Sequence, residues 1–166
     1  MLKIASSKVN RRNLKEIVTQ LITHLIPKET RSYSKTAAAS LLIQTAEGSS
    51  SGVNSGNQAA TMSPAYRFEL VQRILQMTSV NTYENVSDFE WYLSVLVDLA
   101  YIAKAPVGMT LRNSLLDVVS RVKNLRRYAV QLCSRMLNDD HFKGNSADGC
   151  TEVIYAAAWI CGEYSR

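Results

Sequence analysis

Apolar residues recur along this chain at steps of three and four and almost never at steps of two. That is the period of amphipathic helices, not of strands. In "NRRNLKEIVTQLITHL" they fall at Leu14, Ile17, Val18, Leu21, Ile22 and Leu25, one stripe on a helix that Pro27 ends. Burial of that stripe does not by itself offset the entropy of ordering the segment, so the helix requires packed neighbours. Periodicity returns at "SPAYRFELVQRILQMT", where Ser63 can cap and Pro64 suits the first helical position. Phe68, Val71, Ile74, Leu75 and either Met77 or Thr78 carry its stripe.

The next segment, "SDFEWYLSVLVDLAYIAKA", opens with the pattern of a capping box. Ser87 is expected to accept from the Glu90 backbone N–H while the Glu90 carboxylate returns to Ser87. Phe89, Tyr92, Leu96 and Leu99 share one face; Trp91, Val95 and Ile102 share another. A helix apolar on nearly every side belongs at the centre, with neighbours around it. "PVGMT" breaks it. The long run that follows splits in two near Lys123 and Asn124, where Asn124 is a fair N-cap and the apolar face shifts. Leu115, Leu116, Val118, Val119 and Val122 serve the first part; Leu125, Tyr128, Ala129, Leu132 and Met136 serve the second. "HFKGNSADG" reads as a loop. A last helix, capped by Thr151 or Asp148, carries Val153, Ile154, Ala157, Ile160 and Cys161.

About six helices with short turns result, together with one long polar interruption. Residues 28–63 are rich in Ser, Gly, Ala, Asn and Thr, as in "EGSSSGVNSGNQAATMS", and have little to bury. They are expected to form a disordered insertion or linker. The chain therefore divides into a first helical region over 1–27, this linker, and the remaining helices over 64–166. Antiparallel pairs stacked in a row, or a compact bundle, would each satisfy the pattern.

Composition narrows the functional classes. The chain has 166 residues, 46% of them hydrophobic and 20% charged, enough apolar material for one core. The net charge of +5 suits contact with anionic surfaces but lacks the dense basic stripe of a nucleic-acid binder. Three cysteines, with no CxxC spacing, read as reduced thiols in a cytosolic protein. No signal peptide is expected from "MLKIASSKVNRR", and no apolar run is long enough to span a bilayer. Asn85-Val86-Ser87 matches a glycosylation sequon, but Ser87 has the capping role already described.

Candidate chemistry is sparse. "NDDH" sets Asp139 and Asp140 beside His141, yet these are ordinary residues after a helix C-terminus. A small helical enzyme built on them is the least favoured reading. The Cys and His spacings match no metal pattern, "EGSSSGVNSG" lacks the Lys-Ser/Thr ending of a phosphate loop, and there is no GxSxG turn. No catalytic residue, cofactor or metal is expected. Arg121, Lys123, Arg126 and Arg127 place four cations in seven residues, a candidate anionic-surface patch whose alternative is a solvated face with some pairing. In "AAAWICGEYSR", Cys161 lies on the apolar face. The Ala156–Ala158 run admits a close helix neighbour and Trp159 is expected to fill the space beside it. Gly162 either ends the helix or permits tight packing. Glu163 is placed to pair with a basic residue of an adjacent repeat. Trp91, Trp159, Gly162 and Glu163 thus form a packing signature.

Several of these stretches resemble the trunk of the large adaptins, coat subunits that select cargo for transport vesicles. "DFEWYLSVLVDLA" at 88–100 and "EVIYAAAWICGEYS" at 152–165 carry the resemblance, with "WICGEY" similar to the Trp-Ile-x-Gly-Glu-Tyr element of that trunk. "RVKNLRRYAV" and "VNRRNLKEIVTQLITHL" add to it and look most like the delta branch, in adaptor protein complex 3. The resemblance covers roughly 9–27 and 64–166; residues 28–63 depart from it, standing where the family has a short turn. It implies an all-α solenoid of stacked antiparallel helix pairs, of HEAT or armadillo type, here as one partial domain of a longer trunk. It further implies a non-catalytic scaffold, with beta, mu and sigma subunits as partners and recruitment by an Arf-family GTPase. Cargo tails with dileucine signals would bind at the sigma junction. The implied location is cytoplasmic, peripheral on Golgi and endosomal membranes, in transport to the lysosome or vacuole. No nucleic acid is implied. The alternative is another cytosolic helical-repeat interaction scaffold.

Overall fold

In the computed structural model, residues 9–26, 63–142 and 150–165 are described. They form six α-helices: α1 Leu14–Leu25, α2 Pro64–Ser79, α3 Phe89–Ile102, α4 Gly108–Arg121, α5 Arg126–Asn138 and α6 Glu152–Tyr164. Short 3₁₀ turns at Lys123–Leu125 and Asp140–Phe142 accompany them, and there is no strand among the described residues. The expected linker over 28–63, except Ser63, lies outside the described residues, as do most of the loop after Phe142 and Asp148.

Side-chain ties at the helix ends fix the direction of each helix. Lys15, near the start of α1, meets Asp88 at the start of α3 at 2.9 Å. Arg67, near the start of α2, donates to the carbonyl of Leu25 at the end of α1 and to that of Ile102 at the end of α3. So α1 and α3 run together and α2 runs against them. Ser94 and Tyr128 join the first halves of α3 and α5 at 2.8 Å, while the Tyr101 hydroxyl donates to Asp139 just past the end of α5. The Cys150 thiol, just before α6, lies 3.8 Å from the carbonyl of Ala105, just before α4. At their far ends, Arg126 links the Val119 and Ser120 carbonyls of α4 to the Tyr164 ring of α6. Odd-numbered helices therefore run one way and even-numbered ones the other. The result is three antiparallel pairs, α1–α2, α3–α4 and α5–α6, the solenoid form of the two architectures that the helical pattern allowed.

α3 is the central element. Every residue from Tyr92 to Ala100 is buried, including Ser94 and Asp98. Ser94 is satisfied by Tyr128 and by the Glu90 carbonyl. The stripe of α1 is buried at Leu14, Val18, Leu21, Ile22 and Leu25, with Ile17 partly covered.

Three local expectations change. The cap of α3 is Asp88, not Ser87: its carboxylate accepts from the Trp91 N–H at 3.0 Å. A carboxylate is the better acceptor at a helix N-terminus, and Lys15 stands beside it to balance the charge. The long run breaks in two, with Val122 and the 3₁₀ turn Lys123–Leu125 between the helices, close to the expected split near Lys123 and Asn124. Asn124, however, lies inside the turn and caps nothing; Leu125 precedes α5. Thr151 takes the N-cap position of α6 without a side-chain hydrogen bond.

Candidate interaction surface

Of the four cations picked out by sequence, Arg121 and Arg126 are engaged within the fold. Arg121 pairs with Asp117, one turn earlier on α4, at 2.7 Å. Asp117 also accepts from the Tyr83 hydroxyl at 2.8 Å. Partial burial pushes the Asp117 carboxyl up, but the bonds from Arg121 and Tyr83 together with the Arg121 charge outweigh it, and its pKa lies below the ordinary value. Arg126 is a strap: its Nη2 donates to the Ser120 carbonyl at 3.1 Å, its Nε approaches that of Val119 at 3.5 Å, and its guanidinium lies 4.3 Å from the Tyr164 ring centroid. A cation at the C-terminus of α4 suits the helix dipole, and the aromatic face adds a cation–π contact.

Lys123 and Arg127 are left exposed, with no ion pair to either among the described residues. Arg127, Gln131 and Arg135 follow one another at four-residue spacing, so they share one exposed face of α5, and α5 carries no acidic residue. The available cations are therefore Lys123, Arg127 and Arg135. Arg135 lay outside the sequence cluster; the four-residue period along α5 was the signal for it.

The packing signature is distributed between interior and surface. Trp91 is partly buried, and the Lys15 ammonium sits 5.4 Å from its ring centroid. Trp159 is 49% exposed and meets Tyr164 edge-on at 5.7 Å, so it does not fill an interior space among the described residues. Tyr155, one turn earlier, is 71% exposed. Gly162 does not end α6, which runs on to Tyr164, and no described residue packs against it: a Cβ there would meet nothing within 4 Å. Glu163 is exposed and has no ion pair among the described residues. Together Tyr155, Ala158, Trp159 and Gly162 give α6 an exposed apolar face.

The remaining candidates for chemistry are structural. Burial, and then the nearby Cys161, push the Cys133 thiol up to about 12, and burial raises Cys161 as well, so neither is primed as a nucleophile. Asp139 accepts from Tyr101, whose phenol burial and the Asp139 charge push well above its ordinary pKa. The side chain of His141 lies outside the described residues, so a site with Asp139 or Asp140 has no geometry behind it. No group of three His, Cys, Asp or Glu residues is placed to hold a metal among the described residues, and no described helix is long and apolar enough to cross a membrane.

Stacked antiparallel pairs with polar straps at their ends and charged or aromatic outer faces define a class: the helical-repeat scaffold, which works by presenting surfaces. The model of the adaptin N terminal region matches residues 1–166, and the chain belongs to that family. It is similar to the AP-3 complex subunit delta-1 of Bos taurus, with 34% identity over 160 residues, covering 95% of this chain and 10% of the relative. The AP-3 complex subunit delta of Dictyostelium discoideum is 39% identical over 101 residues, covering 60% of this chain and 9% of the relative. That of Schizosaccharomyces pombe is 32% identical over 151 residues, covering 88% of this chain and 17% of the relative. The chain thus spans between 9% and 17% of the length of these relatives.

Proposed function

We propose that the chain is a non-catalytic scaffold segment of a vesicle-coat adaptor subunit, acting in intracellular protein transport. One observation carries the reading: similarity to the AP-3 complex subunit delta-1 of Bos taurus extends over 95% of the chain at 34% identity. The partners are the other subunits of such a complex, beta, mu and sigma, with an Arf-family GTPase and dileucine-bearing cargo tails engaged by the assembled coat. The place of action is the cytoplasmic face of Golgi and endosomal membranes. Affinity purification of the tagged chain from cells tests this. Enrichment of adaptor subunits over a tagged, unrelated helical-repeat protein is expected. A folded chain that enriches none of them refutes the reading.

Two surfaces have roles within it. The exposed α6 face, with Tyr155 and Trp159, packs against a further helical layer, since small residues at Ala158 and Gly162 let another helix approach closely between two aromatic rings. Lys123, Arg127 and Arg135 face an anionic surface. Each such cation contributes about 1 kcal/mol near an anionic leaflet. Their combined replacement by Ala is therefore expected to weaken sedimentation with phosphatidylserine vesicles by roughly 100-fold. Unchanged sedimentation would remove the membrane role from this face.

A further inference from the structure

Between α2 and α3 the backbone adopts a conformation that its residue types resist. Asn81, Thr82 and Tyr83 are all left-handed, with φ of 48°, 58° and 65°. Asparagine tolerates that region; a β-branched threonine and a bulky tyrosine press Cβ toward the following carbonyl, and L-residues enter it singly rather than in runs. Local preference does not select this turn, so tertiary contacts must hold it.

Those contacts centre on Tyr83. Its ring is buried, 6.3 Å from that of Phe89 and 5.7 Å from that of Tyr92. Its hydroxyl donates to Asp117 near the end of α4, and Arg121 grips the same carboxylate from the solvent side. Behind the turn, the Thr78 hydroxyl lies 3.0 Å from the Tyr92 hydroxyl and 3.0 Å from the carbonyls of Ile74 and Leu75. The turn also sits at a natural division. Close backbone approaches knit α3, α4, α5 and α6 to one another, whereas α1 and α2 chiefly approach each other. Among the described residues, the polar links across the division lie near helix ends: Lys15 to Asp88, Arg67 to Ile102, Thr78 to Tyr92 and Tyr83 to Asp117.

We propose that Asn81–Tyr83 is a strained hinge, latched by the Tyr83–Asp117 hydrogen bond, on which the α1–α2 pair swings as a unit against the α3–α6 block. Backbone strain in the turn drives opening, and seating of the Tyr83 ring and hydroxyl opposes it. A change of angle at one joint of a solenoid redirects everything beyond that joint, so a local latch sets the course of the whole array. The inference rests on this geometry and stands apart from the coat-adaptor reading.

The test uses the full chain, with paramagnetic labels on non-canonical side chains at the exposed positions Gln72 on α2 and Asn113 on α4. Wild type is expected to give one narrow distance. Tyr83→Phe, which keeps the ring and removes the hydroxyl, is expected to add a second, displaced population. In the same variant the Val86 amide, which donates to the Tyr83 carbonyl, is expected to exchange about ten-fold faster, with α4 and α6 amides unchanged. Adding Thr82→Gly relieves strain in the closed state and is expected to shrink the second population. One narrow distance in Tyr83→Phe and also in Tyr83→Ala would overturn the hinge. So would equal acceleration of exchange through α4 and α6, because the turn would then be an ordinary element of global stability.

Discussion

Arg67 is a buried cation whose role can be measured. It is 9% exposed, its Nη1 donates to the Ile102 carbonyl at 3.1 Å and to the Leu25 carbonyl at 3.4 Å, and no ion pair to it exists among the described residues. Both carbonyls belong to last-turn residues, which have no partner within their own helices. Both lie at the negative ends of helix dipoles. Arg67→Met keeps the apolar stem and removes the head. The shorter hydrogen bond, being charge-assisted, contributes about 1.5–3 kcal/mol, and the longer one less. The two dipoles add about 0.3–1 kcal/mol each. Against this, the variant no longer holds a cation out of water, which returns part of the loss. A net destabilisation of about 2 kcal/mol follows, or a fall in Tm of about 4–8 °C for a chain of this size. Arg67→Lys keeps the charge but replaces the planar guanidinium with a shorter, more strongly hydrated ammonium, and roughly half that loss is expected. Urea unfolding followed by far-ultraviolet circular dichroism reads both. A Met variant as stable as wild type, or more so, would show that the cation is a net cost and that apolar packing alone joins α1, α2 and α3.

The register of the α3 cap gives a sharp pair: Asp88→Ala is expected to cost about 1–2 kcal/mol and Ser87→Ala less than about 0.5 kcal/mol, both by urea unfolding; the reverse order would restore Ser87 as the cap. The Trp91 N–H first, and then the bond and charge of Lys15, hold the Asp88 carboxyl below its ordinary pKa. A depressed folded pKa contributes stability that is complete above the unfolded value, near 3.9, and is lost as pH falls through the folded value. Acid titration of stability should therefore have a shallower limb in Asp88→Asn than in wild type, and identical limbs would refute this. Cys133, fully buried with its thiol pushed up to about 12, should resist alkylation at neutral pH until denaturant is added; rapid labelling of the native chain, located by mass spectrometry, would contradict the packing of α5 against α6.

The helices were legible because each buries a face at its own period, which is a local property of the sequence. Leu14 to Leu25 and Val153 to Ile160 show their buried stripes without reference to anything else in the chain. The centrality of α3 was legible for the same reason, since a helix apolar all round can sit only among neighbours. The misses share a cause. Asp88 displaces Ser87 as the cap with help from Lys15, 73 residues away. Arg67, between the aromatic residues Tyr66 and Phe68, carries no local mark of burial; it becomes a clamp only because the ends of α1 and α3 arrive beside it. Arg121 and Arg126 looked equivalent to Lys123 and Arg127 until Asp117, Tyr164 and two α4 carbonyls came within reach. Trp159, expected to fill the space beside a neighbouring helix, stays half exposed among the described residues, where Ile160 and Ala156 take the inward positions.

The division between what was and was not legible follows the construction of a solenoid. Apolar periodicity decides which face of a helix turns inward, and burial is non-directional, so many crossing angles between pairs would serve it nearly equally. The angle that is adopted is set by directional groups at the helix ends: the Arg67 guanidinium, the Asp88–Lys15 pair, the Tyr128–Ser94 bond and the Tyr83–Asp117 bond. Each is one or two hydrogen bonds, about 1 kcal/mol or a little more, small beside the apolar core but comparable with the difference between neighbouring angles. Such a fold keeps its helices while changing its course. The ties that join α1–α2 to the remaining pairs are therefore where substitutions should alter shape before they alter helix content.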